Sequence, residues 1–574
     1  MNRTNDAASS HGHGDWRLIC DLLESSARGF SDRILFKDGS GKTVTYAEAR
    51  GLVDDLAHGL VLEGFASGDR VGLLGERNCS DWCISYLAIL RIGAVVVPLD
   101  PSLKEGELAT LLGDCEASGI ISSGKTIEML KKIRNDVPSL ERVIALDRAG
   151  SFGVPLIGDL IGKGRGQNIR FPDIDPDSLA ILLYTSGTTG KPKGVMLSHT
   201  NIISDIRAVH KRLPFNPDDV VLSILPLHHA FECTCGFLNS MSLGCKVVFA
   251  RSYKSSELLE DMRDNGVSYM CGVPLLYEKM YLSFRRKIAR SSAFKRGLFK
   301  TLLSISSFGQ RRHRTWGRGL FRSMREKAGM GSLRMLVSGG AAIPLEISRF
   351  FSAIGIAMLQ GYGLSETSPV LSVNPVELNK FDSIGPPLDS VELRIDNPDQ
   401  SGIGEIVVNG PMVMLGYYKN DAATAAVLRQ GWFFTGDVGC VDADGYMYIT
   451  GRSKNVIVSA AGKNIHPEEI EAQLNESLYI LESLVLGRKA PNSNVEDVTA
   501  VIVPDLDAMA EAEQRSVENI IQTEVASVCS RLADFKRIKK YYIRNEELPK
   551  TSTRKVKRCS EIDDSGNLFE KKRV

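Results

Sequence analysis

The sequence alternates short apolar runs with longer amphipathic segments, and this alternation constrains the fold more than any other feature. TYAEARGLVDDLAHGLVLEG, residues 45–64, predicts a helix that begins at a capping box of Thr45 and Glu48 and ends at Gly64. DRVGLLGE predicts a strand, SDWCISYLAILRIG a helix capped by Ser80, and AVVVPLD the next strand. Strand–helix–strand order favours parallel pairing, and similar units recur around KVVFA, SYMCGVP and RMLVSGG. The pattern therefore predicts an α/β fold.

The pattern changes after about residue 385. SVELRID, GEIVVNG and GCVDADGYMYIT are typical of short strands, and Asp444-Gly445 indicates a hairpin turn. These strands predict a small antiparallel subdomain. After Gly451 come a predicted helix, HPEEIEAQLNES, the strands ESLVLGR and VTAVIVP, and a further helix, SVENIIQTEVASVCSRL. We therefore predict two domains, 1–451 and 452–574.

Length and composition set broad limits on the protein. The 574 residues exceed a typical single domain, and a formal net charge of +1 favours no particular partner. The 11 cysteines form no CxxC pair and predict buried, reduced thiols in a reducing compartment. No secretory signal and no membrane-spanning apolar run is recognisable, so we expect a cytoplasmic protein or one peripheral to the inner face of a membrane. HGHG at 11–14 could bind a metal, but we favour an incidental pair of histidines.

YTSGTTGKPKG, residues 184–194, is the stretch with the clearest chemistry. Its glycines allow close backbone approach to a ligand, its hydroxyls donate hydrogen bonds, and its lysines add positive charge, a combination that suits polyphosphate. It is not a Walker A loop, because Gly187 and Gly190 are three apart and Pro192 follows Lys191. VMLSHTNII, directly after it, predicts the start of a helix. The alternative is a plain surface turn.

The loop resembles the signature loop of the adenylate-forming ligases, which include the acyl-CoA synthetases. Four more motifs of that family follow in its order: GYGLSET at 361–367, GWFFTGDVG at 431–439, GRSKNVIVSAAGKNIHPEEIE at 451–471 and PKTSTRKVKR at 549–558. The resemblance implies a large N-terminal domain of mixed sheets flanked by helices, with a small β-barrel-like subdomain, and a small mobile α+β C-terminal lid domain. It also implies a two-step reaction, in which a carboxylate and ATP give an acyl-adenylate and a thiol then takes the acyl group.

The resemblance also assigns ATP-binding residues. The loop is implied to hold the β- and γ-phosphates through Thr185, Ser186, Gly187, Thr188, Thr189, Gly190, Lys191 and Lys193. Thr185 and Glu366 are implied to associate with Mg²⁺, an ion that prefers oxygen ligands. Tyr362 and Gly363 are implied to lie at the adenine, although Tyr362 alone could be a core aromatic. Asp437 is implied to accept both ribose hydroxyls, although it could simply cap a turn, and Arg452 to bind ribose or phosphate nearby.

Four further residues are implied to act in catalysis or transfer. Lys555 matches the lysine that bridges the carboxylate and the α-phosphate, although Arg554 stands where the family usually has glycine. His229 matches a histidine near the acyl entrance, whereas the neighbouring His228 has no match and is expected only to pack. Lys454 corresponds to the hinge and Gly462 to the glycine beside the pantetheine thiol.

Residues 279–327 are strongly basic and interleaved with apolar residues, with Glu326 as the only acid. One interpretation of this stretch is a solvated pair of helices. The other is that residues 285–327 form an amphipathic surface that binds an anionic membrane or an acidic carrier protein. The apolar face of that surface would comprise Phe294, Leu298, Phe299 and Leu302. Long-chain fatty acyl-CoA synthetases resemble this region, so we expect a medium- to long-chain fatty acid as substrate.

The acceptor is left open by the sequence. Coenzyme A is the default acceptor, and holo-acyl carrier protein presents the same thiol. Release of the acyl-adenylate itself, a non-catalytic lipid- or nucleotide-binding protein and a nucleic-acid-binding protein remain weaker alternatives, and we expect no nucleic-acid partner.

Overall fold

The structure is a computed structural model, and it describes most of the chain. The described residues are 15–148, 153–185, 192–310, 315–458, 464–489, 496–510, 516–550, 556, 558, 561–562 and 568–569. They belong to two compact units. The first comprises Met1–Glu392 and Asn409–Phe433, and the second comprises Leu393–Val408 and Phe434–Val574. The division predicted at 451/452 stays a prediction.

The first unit contains a mixed eight-stranded sheet in the part of the chain that is described. In order across the sheet, its strands are Val370–Val373, Ala357–Gly363, Met335–Ser338, Tyr269–Gly272, Val220–Ser223, Lys246–Phe249, Ile34–Lys37 and Thr43–Thr45. The inner pairs are parallel and only the two outermost pairs are antiparallel. The strands predicted around KVVFA, SYMCGVP and RMLVSGG are therefore confirmed within the parallel part of this sheet, where the last two are neighbours and Val220–Ser223 separates them from the first.

The first unit also contains a mixed seven-stranded sheet. Its order is Gly416–Tyr417, Lys193–Ser198, Leu179–Thr185, Val95–Pro98, Arg70–Leu74, Gly119–Ser122 and Arg142–Ala145. The last five are mutually parallel, and the first two pairs are antiparallel. The two predicted strands of DRVGLLGE and AVVVPLD are adjacent here, as the α/β pattern indicates.

Helices follow the strands of the first unit. They are Ile19–Gly29, Tyr46–Leu62, Ser80–Arg91, Glu105–Asp114, Ile127–Ile133, Ile157–Gly164, His199–Arg212, Asn239–Ser242, Ser255–Asn265, Pro274–Ala289, Ala293–Gln310, Trp316–Leu320, Arg322–Lys327, Leu345–Ala353 and Asp421–Val427, with a π-helix at Glu232–Leu238. Their apolar faces bury large cores, one of which surrounds Leu222, Met270 and Leu336 of the eight-stranded sheet.

Two of these helices test the predicted caps. The box at Thr45 is confirmed, because its backbone N–H donates to Glu48 Oε2 at 2.7 Å and its hydroxyl accepts from the Glu48 N–H at 3.2 Å. The cap at Ser80 is wrong. Ser80 is the first helical residue, Cys79 precedes it as the cap, and the Ser80 hydroxyl instead donates to Asp38 Oδ2 at 2.7 Å.

The second unit is built from short strands and three helices among its described residues. Glu392–Asp396, Gly404–Asn409 and Trp432–Val441 are neighbours in one sheet, and Met447–Arg452 pairs antiparallel with the last of them. A second sheet has the order Ile480–Lys489, Glu496–Pro504, Lys540–Ile543. It packs against Pro467–Leu474 and Val517–Arg531 around a core that includes Val485 and Ile521, and Leu506–Ala510 is the remaining helix. The antiparallel strands and the later helices are confirmed as predicted.

Two sequence expectations concern the environment of the chain. The ten described cysteines are all free thiols, and seven of them are buried. Among the described helices, none has the length and apolar character needed to span a bilayer.

Candidate functional site

The two ends of the glycine-rich loop lie on paired strands. Thr185 ends the strand Leu179–Thr185 and is paired in antiparallel register with Lys193, the first residue of Lys193–Ser198. The helix predicted to begin within VMLSHTNII is confirmed, and residues 193–198 form a largely buried strand between the loop and that helix. The helix begins at His199, where the Ser198 hydroxyl accepts a hydrogen bond from the Asn201 N–H. Ser186, Gly187, Thr188, Thr189, Gly190 and Lys191 lie outside the described residues.

Tyr417 links this hairpin to the GYGLSET motif. The Nζ atom of Lys193 lies 4.7 Å from the centre of the Tyr417 ring, and the Tyr417 hydroxyl donates to Glu366 Oε1 at 2.9 Å. Burial, followed by the negative charge of Glu366, raises the pKa of Tyr417, so the phenol stays protonated and remains a donor. The structure thus brings together two predicted site residues, Lys193 and Glu366, through a residue that sequence reasoning missed. The sequence around Tyr417, LGYYKN, contains only a glycine and two adjacent tyrosines that could have indicated a functional residue.

The backbone around Glu366 is held by a tight turn. A Cβ on Gly363 would lie 1.7 Å from the Pro369 carbonyl oxygen, so only glycine fits there. The Leu364 N–H and the Thr367 hydroxyl both donate to that same oxygen, at 3.0 and 2.9 Å. Tyr362 is half-buried in the strand Ala357–Gly363.

The predicted metal-associated residues offer a suitable donor set. Thr185 supplies a hydroxyl oxygen and the half-buried Glu366 a carboxylate, and Mg²⁺ takes oxygen ligands from one or two carboxylates while it keeps several waters. The Tyr417 hydroxyl orients the Glu366 carboxylate, as partners of metal ligands commonly do. The residues present therefore fit Mg²⁺.

His229 lies in the loop after the strand Val220–Ser223 of the eight-stranded sheet. Its N–H donates to the Pro226 carbonyl at 3.1 Å, and its own carbonyl accepts from the Cys233 N–H at 3.0 Å. Ligands of open α/β sheets gather at the carboxyl ends of strands, where this half-buried imidazole is found. In the π-helix that follows, burial raises the pKa of Glu232 to about 8, a neutral internal acid that the sequence did not indicate.

In the second unit, Asp437 and Arg452 are a cross-strand pair. Asp437 is only 3% exposed, and Arg452 Nε lies 2.8 Å from its Oδ1 atom. Gly436, with φ of +73°, precedes Asp437 in the strand Trp432–Val441, and the Thr435 hydroxyl accepts from the Asp437 N–H at 3.1 Å. Two of the predicted ribose residues are therefore adjacent. Lys454 is exposed on the short helix Ser453–Asn455.

Lys555 and Gly462 lie outside the described residues, but the chain on both sides of Lys555 is anchored. Lys550 Nζ pairs with Glu482 at 3.0 Å, and Arg558 Nη2 pairs with Glu471 at 2.5 Å and with Glu468 at 3.2 Å. Burial raises the pKa of Glu471 to about 7, an effect that the Arg558 charge opposes.

Comparison with known proteins places this geometry in a family context. The family profile of the AMP-binding enzymes matches residues 23–418, and the profile of the AMP-binding enzyme C-terminal domain matches 454–564. The long-chain-fatty-acid–CoA ligase of Bacillus subtilis is 30% identical, over 94% of this chain and 93% of its own. A chloroplastic long-chain-fatty-acid–[acyl-carrier-protein] ligase of Arabidopsis thaliana is 28% identical, over 86% and 77%. The crystal structure of ATP-bound MatB from Rhodopseudomonas palustris is 26% identical, with a TM-score of 0.75 over 94% and 97%.

Proposed function

Because this chain belongs to the AMP-binding enzymes, we propose that it activates a medium- to long-chain fatty acid and transfers it to a thiol. It is an AMP-forming acid–thiol ligase. A carboxylate oxygen of the fatty acid attacks the α-phosphorus of ATP, and pyrophosphate leaves. The thiol sulfur then attacks the acyl carbon, loses its proton and releases AMP. The observation that carries the substrate class is the likeness to the Bacillus subtilis ligase over nearly the whole of both chains.

The first half-reaction brings two anions together, so positive charge must be placed where the transition state needs it. The loop from Thr185 to Lys193 binds the β- and γ-phosphates, and Lys193 supplies charge beside Glu366 and Tyr417. Mg²⁺ held with Glu366 and Thr185 would neutralise phosphate charge. Tyr417 keeps the Glu366 carboxylate oriented, and Tyr362 and Gly363 contact the adenine.

Residues of the second unit bind the nucleoside and complete the chemistry. Asp437 accepts from the ribose hydroxyls, a role supported by the Arg452 guanidinium, whose Nε lies 2.8 Å from Asp437 Oδ1 and orients the carboxylate. Lys555 neutralises the carboxylate and the α-phosphate during adenylation. Gly462 lies on the thiol path, and Lys454 acts as the hinge. His229 contacts the acyl group close to its carboxylate.

The acceptor and the compartment are the next two parts of the proposal. Coenzyme A is the proposed acceptor, on the strength of the bacterial relative, and holo-acyl carrier protein is the second candidate because the Arabidopsis relative is named for it. That relative is also named as chloroplastic, so a cytoplasmic location stays a prediction.

Pyrophosphate exchange with a panel of fatty acids tests the function. Each methylene buried in the site contributes about 0.8 kcal/mol, so KM should fall about fourfold per added carbon until the site is filled. Thioester formation with coenzyme A and with holo-acyl carrier protein is then measured for the best acid. Exchange with short acids but not with long ones would reject the proposed substrate class.

We also propose that the helix Ala293–Gln310 meets an anionic membrane. Phe294, Leu298, Ile305 and Phe308 are 79, 49, 44 and 49% exposed, and their spacing places them on one face of the helix. The exposed bases Lys295, Arg296 and Lys300 lie on the same helix. The expectation for Phe299 and Leu302 is wrong, because both pack against the apolar core and hold the helix to the protein. Arg311 and Arg312 lie outside the described residues.

Charge reversal tests this surface separately from catalysis. Each base contributes about 1 kcal/mol near an anionic surface, so reversal of Lys295, Arg296 and Lys300 to Glu should release the protein from phosphatidylserine vesicles at low salt. Turnover of a short, soluble acid should stay unchanged. Reversal of Lys131, Lys132 and Arg134, exposed on and beside the helix Ile127–Ile133, is the matched control. If the parent protein does not sediment with these vesicles, the membrane proposal fails and the ligase proposal stands.

A further inference from the structure

Two loops from different sheets bring a carboxylate and two imidazoles together. Asp100 follows the strand Val95–Pro98 of the seven-stranded sheet, and His228 and His229 follow Val220–Ser223 of the eight-stranded sheet. The ligand atoms of all three side chains lie within 4.8 Å of one another. The sequence had predicted only packing for His228.

The positions of these side chains are fixed by their neighbours. The Asn78 amide donates to the Leu225 carbonyl at 2.7 Å and accepts from the Leu227 N–H at 3.1 Å, which fixes the loop just before His228. At Asp100, the N–H and the hydroxyl of Ser102 both donate to Oδ1, at 2.8 and 2.7 Å. This arrangement leaves Oδ2 as the oxygen closest to His228. Such outer hydrogen bonds are what orient ligands in metal sites.

His228 Nε2 is the atom that most needs an explanation. Its side chain is only 9% exposed, and no hydrogen-bond partner for Nε2 occurs within the described ranges of the chain. Asp100 Oδ2 is 3.6 Å away, which is too long for a hydrogen bond. Two ligands of a tetrahedral ion at 2.0–2.2 Å are separated by about 3.4 Å, so this gap suits a shared metal ion.

We propose that Asp100, His228 and His229 bind one transition-metal ion of the Zn²⁺ type. Two imidazoles and one carboxylate are ligands that Zn²⁺ favours, whereas Mg²⁺ prefers oxygen alone. The His228 and His229 rings lie 4.2 Å apart between centres, so both imidazoles are close enough to serve one ion. Water takes the fourth position.

This site has a consequence for the reaction, which rests on the proposed function. Metal binding draws the His229 imidazole onto the ion and away from the acyl group. Micromolar Zn²⁺ should therefore inhibit pyrophosphate exchange even in excess Mg²⁺, and a chelator should restore it.

Cobalt binding to the full-length protein tests the site without any activity measurement. Co²⁺ is titrated in excess Mg²⁺ and followed by its visible absorption bands, which report four- or five-coordinate nitrogen and oxygen ligands. The parent protein should bind one ion with these bands, and His228→Ala and the isosteric Asp100→Asn should lose them. A double variant of His11 and His13 to Ala, which removes the histidines of HGHG, should keep them. Circular dichroism checks that each variant is folded.

The other outcomes overturn the proposal. They are the absence of cobalt binding to the parent, bands that survive in both His228→Ala and Asp100→Asn, bands that vanish with the HGHG histidines, and a near-ultraviolet thiolate band that marks cysteine ligands. If cobalt binds as proposed but Zn²⁺ does not inhibit exchange, the metal site stands and the role given to His229 in the proposed function fails.

Discussion

The hydrogen bond from Tyr417 to Glu366 gives the sharpest test of the site geometry. Tyr417→Phe removes only the hydroxyl, which lies 2.9 Å from Glu366 Oε1, and leaves the ring beneath Lys193 Nζ. The backbone pairing of Tyr417 with Val195 does not involve the hydroxyl, so the fold should be retained.

The expected magnitude follows from the charge on the acceptor. A hydrogen bond to a charged group is worth about 1.5–3 kcal/mol, which corresponds to about 10- to 150-fold in a rate or binding constant. Glu366 is half-buried and Lys193 remains beside the site, so part of the loss is compensated. We therefore expect a decrease of about tenfold in pyrophosphate exchange and a higher Mg²⁺ concentration for half-maximal rate.

The assay is pyrophosphate exchange over a Mg²⁺ series, with Tyr418→Phe as the matched control. Tyr418 is the adjacent aromatic, and its N–H donates to the Gly194 carbonyl at 2.7 Å, a contact that the substitution keeps. The control should behave as the parent. An unchanged rate and an unchanged Mg²⁺ requirement in Tyr417→Phe would refute the role given to this contact.

Three further predictions concern separate parts of the molecule. Gly363→Ala forces a Cβ onto the Pro369 carbonyl oxygen and should lower the free energy of unfolding by about 1–3 kcal/mol, seen as a lower thermal midpoint. Gly361→Ala is the control and should lower it less, because its Cβ would lie 3.3 Å from the nearest atom. Equal thermal midpoints of the two variants would contradict the tight turn. The pKa of Glu232 is about 8 in the folded protein and 4.5, its ordinary value, in the unfolded chain. The free energy of unfolding should therefore fall as pH rises between these two values, by at most about 1.4 kcal/mol per pH unit. Glu232→Gln should flatten that decline in unfolding measurements from pH 5 to 8, and an equally steep profile would show that Glu232 is not the group. Gly462→Leu should leave pyrophosphate exchange intact and block thioester formation, while a normal rate of thioester formation would remove Gly462 from the thiol path.

Local patterns predicted much of the fold. The capping box at Thr45, the hairpin turn at Gly445 and the buried strands are set by neighbouring residues, so periodicity and turn chemistry suffice to find them. The cap was wrongly assigned to Ser80, because Asp38, 42 residues away, accepts a hydrogen bond from its hydroxyl. The π-helix at Glu232–Leu238 was not predicted, because the sequence shows no hydrophobic periodicity that would indicate it.

The residues of the candidate site likewise fall into those that the sequence indicated and those that it did not. The resemblance to the adenylate-forming ligases indicated Glu366, Asp437 and Lys193, because each lies within a short contiguous motif of that family. Tyr417 was missed because its partner lies 51 residues away, and His228 because its partner Asp100 comes from another sheet. Contacts between distant segments depend on topology, which the order of strands in the chain does not specify.

The central claim is a two-step reaction in which Lys555 serves only the step that joins carboxylate and α-phosphate. The most direct measurement compares parent protein and Lys555→Ala in both half-reactions, with pyrophosphate exchange for the first and thioester formation from supplied acyl-adenylate for the second. We expect the variant to lose most of the exchange activity and to form thioester at close to the parent rate, because the second step no longer needs a charge between two anions. Equal loss in both half-reactions would contradict the account.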